Sequence, residues 1–97
     1  MPQLLSQVEV DVALPHLHGW TQNAKTISKE FQCESFREAL DFVNAIGEKA
    51  EELDHHPDIL IHDWNKVRLI LSSHSAGGLT DNDIRLAREI DIFVESI

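Results

Sequence analysis

An α+β fold is predicted: a two-layer sandwich in which a four-stranded antiparallel sheet carries helices on one face. Two features of the sequence predict it. Segments of alternating apolar and polar residues come in two pairs joined by short turn sequences, and segments with apolar residues at three- and four-residue spacing separate and flank them. The resulting order is a short N-terminal helix, then β-β-α-β-β-α. Strands joined by tight turns pair antiparallel, which leaves the helices to cover one face. The 97 residues make one domain spanning 1–97. A chain of this size buries roughly 60–65% of its unfolded surface, so its core is modest and self-association is a natural supplement.

Near the N-terminus Val8, Val10 and Val12 alternate as in a strand, but Ser6 and Glu9 have capping-box spacing and Val10, Leu14 and Leu17 share a helical face. The balance favours a short helix over about 7–14, ended near Pro15. Residues 19–22 start a short strand and Asn23-Ala24 is a turn. Residues 26–33 form a second strand, with Ile27, Phe31 and Cys33 on one face and Thr26, Ser28 and Glu30 on the other.

A long helix begins at Ser35, with Glu34 and Glu38 complementing its N-terminal dipole. Phe36, Leu40, Val43, Gly47 and Ala50 form one row, and Ala39, Phe42, Ile46 and Leu53 flank it. So wide a stripe predicts a well-buried helix. Proline at 57 disfavours the α conformation at His56, so the helix ends at about Asp54 or His55.

Residues 59–63 form a third strand and 63–66 a hairpin turn. The fourth strand, 67–73, points Val67, Leu69 and Leu71 inward and Lys66, Arg68 and Ser72 outward. Gly77-Gly78 makes a loop. Thr80 caps the last helix, with Asp83 at capping-box spacing. That helix runs over about 81–95 on a stripe of Ile84, Ala87, Ile90 and Val94, widened by Leu86, Phe93 and Ile97. It is apolar enough to face both its own sheet and a partner subunit.

Eight basic residues against seventeen acidic ones give a net charge of −9. This disfavours duplex nucleic acid, whose phosphates require a cationic face, and equally an anionic membrane surface. No stretch approaches the ~20 apolar residues of a spanning helix, and no signal-like segment precedes Leu4-Leu5. A single cysteine, Cys33, forms no internal disulfide and fits a reducing compartment. A cytoplasmic protein is expected.

The chemistry-bearing residues gather between Glu51 and His74. Glu51 and His55 are four apart on one helix, so a carboxylate stands beside an imidazole; the same spacing describes an exposed helical ion pair. His55 and His56 straddle a helix end, where the backbone turns and both rings can line one pocket. Two surface histidines favoured by the helix dipole are the plain alternative. His74 follows the fourth strand, and a hairpin of strands three and four would return it to the side where His55 and His56 leave the helix. No zinc-ligand spacing is present, so no metal is expected. Asp83 is most simply a cap, and Trp20 and Trp64 are most simply core or pocket walls, although an aromatic face suits a flat ring ligand. His16, His18 and His62 read as surface or packing residues. Cys33 has no neighbouring base in sequence.

Taken together, Glu51-x-x-x-His55-His56-Pro57, Trp64, His74 and Asp83 resemble the signature of the pterin-4a-carbinolamine dehydratases. So do the flanks Leu14-Pro15, Gly19-Trp20, Trp64-Asn65-Lys66-Val67 and Gly78-Leu79-Thr80. The resemblance runs from Leu14 to the end of the chain. It implies dehydration of 4a-hydroxytetrahydropterin to quinonoid dihydropterin, which recycles the cofactor of aromatic amino acid hydroxylases. It implies no metal and no cofactor, and a homodimer or homotetramer. The family's three active-site histidines fall on His55, His56 and His74, its glutamate on Glu51 and its aspartate on Asp83. One of His55 and His74 is expected to act as acid and the other as base. His56 would bind or orient the pterin, and Glu51 would hold and polarise His55. Trp64, Asp83 and Pro57 are expected to contact substrate. Residues 58–62 depart from the more aromatic stretch of animal members. Those members also bind a homeodomain transcription factor, a role this sequence does not support. Two other classes are a non-catalytic binding or assembly module on the same scaffold, which would be expected to lose the histidines, and a metal-dependent enzyme.

Overall fold

The computed structural model describes residues 3–97. Helix α1 spans Gln7–Ala13 and is followed by a 3-10 turn at Leu14–His16. Its start is the capping box read from the sequence: the Ser6 N–H donates to Glu9 Oε1 at 2.9 Å and the Glu9 N–H donates to Ser6 Oγ at 3.2 Å. These bonds from Ser6 hold the Glu9 carboxyl below its ordinary range. Strand β1 is Thr21–Asn23, β2 Thr26–Gln32, α2 Phe36–Leu53, β3 Asp58–His62, β4 Lys66–Leu71 and α3 Asp81–Glu95.

The strands form one antiparallel sheet in the order β1-β2-β4-β3. Its register sets Ile27 opposite Leu71, Phe31 opposite Val67, and Ile59 and Ile61 opposite Leu69 and Val67. These residues share one face, because strand side chains alternate. That face packs with Ala39 and Ile46 of α2 and Ile84, Leu86, Ala87 and Ile90 of α3 to make the core. The opposite face carries Glu30, Arg68 and His62, where Glu30 accepts from His62 Nε2 at 2.6 Å. That bond, joined by the charges of His62 and Arg68, holds the Glu30 carboxyl low.

One inward position departs from the apolar pattern. Lys29 points toward the helices, and its amine reaches Asp91 Oδ1 at 3.2 Å. Asp91 is buried on α3 and also accepts from the Trp20 indole N–H at 2.9 Å and the His18 backbone N–H at 2.9 Å. This cluster ties the segment before β1 to the last helix.

The expectation of a well-buried α2 holds for its flanking row and for the C-terminal part of the main row, but not for the start of the main row. Ala39, Ile46 and Ala50 are buried, whereas Phe36 and Leu40 stay 52% and 42% exposed. The true stripe is centred about a quarter-turn from the row beginning at Phe36, and α3 covers only part of it.

Two turns adopt left-handed backbone at residues that carry a Cβ. Asp63 and Trp64 have φ of 51° and 57° in the loop joining β3 to β4. Buried Asn65 holds that loop down, its side-chain amide donating to Cys33 O at 3.0 Å and its carbonyl accepting from Cys33 N–H at 2.7 Å. In the β1–β2 turn Ala24 has φ 55°. A left-handed alanine costs roughly 1–2 kcal/mol, part of which glycine recovers after its larger loss of chain entropy. Replacing Ala24 by glycine is therefore expected to raise stability by about 0.5–1 kcal/mol, seen as a melting temperature several degrees higher. An unchanged or lower midpoint would show that this turn bears no strain.

Candidate active site

Helix α2 ends in a Schellman arrangement that determines where the histidines go. Asp54 is left-handed, with φ 50° and ψ 44°. Its N–H donates to Glu51 O at 3.2 Å, and the His55 N–H reaches back to Ala50 O at 3.0 Å. The chain thus leaves the helix at residue 54, and the i to i+4 rule no longer relates Glu51 to His55. The expected Glu51–His55 pair is accordingly not made. His55 turns toward the start of α3, where its Nε2 meets Asp83 Oδ1 at 2.6 Å, and His56 comes round to place its Nε2 2.5 Å from Glu51 Oε2.

The other wall comes from the segment after β4. Ser73 N–H donates to Gly78 O at 2.8 Å, closing a compact loop over 74–77 in which Gly77 takes φ +79°. The loop packs tightly, since a Cβ on Gly78 would lie 2.8 Å from Leu4 Cδ1. His74 stands at its start. Because β3 and β4 form a hairpin, the loop returns beside the end of α2. His55, His56 and His74 together with Asp54, Ser72, Ser73, Ser75 and Asn82 line one cleft of about 350 Å³.

Two histidines in this cleft have unlike surroundings. The His55–Asp83 pair is nearly dry, with side-chain exposures of 13% and 0%. The His56–Glu51 pair is exposed at both partners and is screened by water. Asp83 does double duty. Its Oδ2 accepts from the Thr80 N–H at 2.9 Å, completing the capping box of α3, and from Ser73 Oγ at 2.9 Å, while Oδ1 takes His55.

Not every expected contact residue reaches the cleft. Asp83, being fully buried, offers no surface to a ligand and acts on His55 instead. Pro57 follows His56 but is absent from the lining. Trp64 is exposed in the β3–β4 loop, at the far end of that hairpin. The length of β4 puts it roughly 20 Å away. Asp54, Asn82 and the serines around His74 line the cleft without standing out in the sequence motif. A run of Ser72-Ser73-His74-Ser75 directly after an apolar strand was the available signal.

A second cavity, about 310 Å³, lies between β2, α2 and α3 and is lined mainly by apolar residues including Phe31, Phe42 and Phe93. It holds no histidine, and the Cys33 thiol on its wall is pushed up by burial and by the charge of Glu38. Among the described residues no group of three or more His, Cys, Asp or Glu is placed to hold a metal ion. No helix among them is long and apolar enough to cross a membrane.

A family model described as "Pterin 4 alpha carbinolamine dehydratase" matches residues 3–93. A Nocardia farcinica protein, provisionally named pterin-4-alpha-carbinolamine dehydratase, is 48% identical over 92% of this chain and 93% of its own length. A Roseiflexus castenholzii protein with the same provisional name is 47% identical over 94% and 97%. Among solved structures, a transcriptional coactivator/pterin dehydratase from Brucella melitensis superposes with a TM-score of 0.84 at 33% identity, covering 91% of this chain and 95% of that one. A pterin dehydratase-like RuBisCO assembly factor of the alpha-carboxysome, at TM-score 0.62 and 24% identity over 79% of this chain and 90% of that one, shares the fold.

Proposed function

This chain belongs to the pterin 4 alpha carbinolamine dehydratase family, and is thereby a hydro-lyase; on that premise we propose that the histidine cleft is its active site and that it dehydrates a 4a-hydroxytetrahydropterin by acid–base chemistry. The observation that carries this reading is the meeting of His55, His56 and His74 around one cleft of about 350 Å³. That volume falls within the ~300–1,000 Å³ of clefts that hold small molecules.

The reaction is a balanced elimination. The C4a–O bond breaks as a proton is delivered to the departing hydroxyl. The lone pair left when a ring nitrogen loses its proton forms the C=N bond, and water leaves with no change in oxidation state. His55 is the base in this reading, because buried Asp83 steadies the positive charge it acquires. His74, exposed and without a carboxylate partner among the described residues, is the acid and exchanges protons with solvent. His56, held by Glu51, orients the ring. Each positioned acid or base is worth about 10²–10⁴ in rate. The quinonoid product places the enzyme in recycling of the aromatic amino acid hydroxylase cofactor. The exposed Phe36 and Leu40 support a homodimer or homotetramer.

The purified chain should speed the loss of 4a-hydroxytetrahydropterin, generated in situ and followed by stopped-flow absorbance, equally with and without a chelator. No acceleration would return the chain to the binding-module class, and loss of activity on chelation would make it a metal enzyme.

A further inference from the structure

We propose that Ser73, together with Thr80 and acting through Asp83, is a positioning residue that keeps the proton of neutral His55 on Nε2 and so presents Nδ1 to the cleft as the accepting atom. The proposal rests on the dehydratase reading for its catalytic consequence but not for its proton arrangement.

The directions of the hydrogen bonds follow from what each group can do. A carboxylate only accepts. Ser73 Oγ, 2.9 Å from Asp83 Oδ2, therefore spends its one proton there. The 2.7 Å contact between Ser73 Oγ and Thr80 Oγ1 then requires the threonine hydroxyl to donate. Thr80 Oγ1 itself accepts from the Asn82 N–H at 3.3 Å, and the Thr80 N–H gives a second donor to Oδ2 at 2.9 Å. All the bonds point one way, from the start of α3 through two hydroxyls into Oδ2. The remaining oxygen, Oδ1, is left facing His55 Nε2 at 2.6 Å, so that nitrogen carries the hydrogen.

The other ring nitrogen has no protein partner among the described residues. No buried side-chain nitrogen or oxygen among them lacks a partner either, so Nδ1 is open to solvent, and the cleft is what His55 lines. Ser73 and Thr80 are themselves buried, at 5% and 0% exposure. Thr80 has no surface on the cleft and Ser73 presents only a sliver to it, its hydroxyl being turned onto Asp83, so their effect reaches the reaction through the carboxylate they fix.

The test uses ¹⁵N shifts of the histidine side chains in the whole protein alongside the pH profile of kcat/KM. In the wild type, His55 is expected to show a protonated Nε2 and an unprotonated Nδ1. Ser73→Ala removes one donor from Oδ2, leaves more charge facing His55 and lets the carboxylate turn. It should lower kcat about tenfold to a hundredfold with KM nearly unchanged, and move the acidic limb of kcat/KM to higher pH. Ser73→Thr, which keeps the hydroxyl, should restore both. If the alanine variant does not fold, Ser73→Cys, a weaker donor, should give an intermediate shift. A wild-type His55 protonated on Nδ1, or a folded Ser73→Ala with unaltered limb and kcat, would overturn the proposal. An inert wild type with the Nε2 proton in place would overturn the dehydratase reading and leave the proton arrangement standing, so the two failures are distinguishable.

Discussion

Truncating His55 to alanine is expected to slow dehydration by about 10²–10⁴-fold, the range set by removing one positioned proton-transfer group. The loss should fall on kcat, because the imidazole acts as the ring nitrogen gives up its proton and not merely as substrate enters. His74→Ala should have an effect of the same order, since protonating the hydroxyl is the other half of the elimination. His56→Ala should cost less, and mainly in KM, because its carboxylate partner is exposed and its role is to orient. The control lies behind the ring. His55→Ala strands Oδ1 of buried Asp83 at a cost of about 1–3 kcal/mol, but the Ser73 and Thr80 bonds to Oδ2 keep the helix cap, so the fold should persist. Stopped-flow rates for both His55→Ala and His74→Ala within a few-fold of wild type, in folded protein, would remove the acid–base assignment.

Replacing Asp91 by alanine is expected to cost about 3–5 kcal/mol of folding stability. Asp91 is 4% exposed and receives the Lys29 amine, the Trp20 indole and the His18 N–H. Deleting it strands a cation and two neutral donors, and breaking one side of a buried pair carries a penalty of that size. A domain has only ~5–15 kcal/mol to lose. The lysine accounts for much of the penalty, so Lys29→Met/Asp91→Leu should be more stable than Asp91→Ala alone. Urea unfolding followed by fluorescence is the measurement, with Trp64→Phe as background so that the signal comes from Trp20. A loss under 1 kcal/mol would mean that water or another group takes over the three donors.

These two expectations bracket what could be read from the sequence. Two helix starts were legible because capping uses residues a few positions apart: Ser6 with Glu9, and Thr80 with Asp83. The inward face of β4 was legible from strict alternation. The partner of His55 was not. The spacing to Glu51 is right on a helix, but a left-handed Asp54 ends the helix first, and nothing in an aspartate announces that conformation as a glycine would. Asp83 was recognised as a cap by one carboxylate oxygen; what the second oxygen binds is set by a contact 28 residues away in sequence. Lys29 and Asp91 escaped for the same reason, being 62 residues apart and each ordinary in its own segment. The cleft was foreseen in its histidines and not in its serines.

Because one buried side chain both starts the last helix and steers a ring in the cleft, folding alone is enough to retain it whether or not the chemistry is kept. A descendant drifting toward a purely scaffolding task would sacrifice the imidazole at 55 before the acid at 83, because losing the ring leaves the helix cap in place. The acid at 83 would persist long afterwards as a relic, still opening α3 with nothing left to aim.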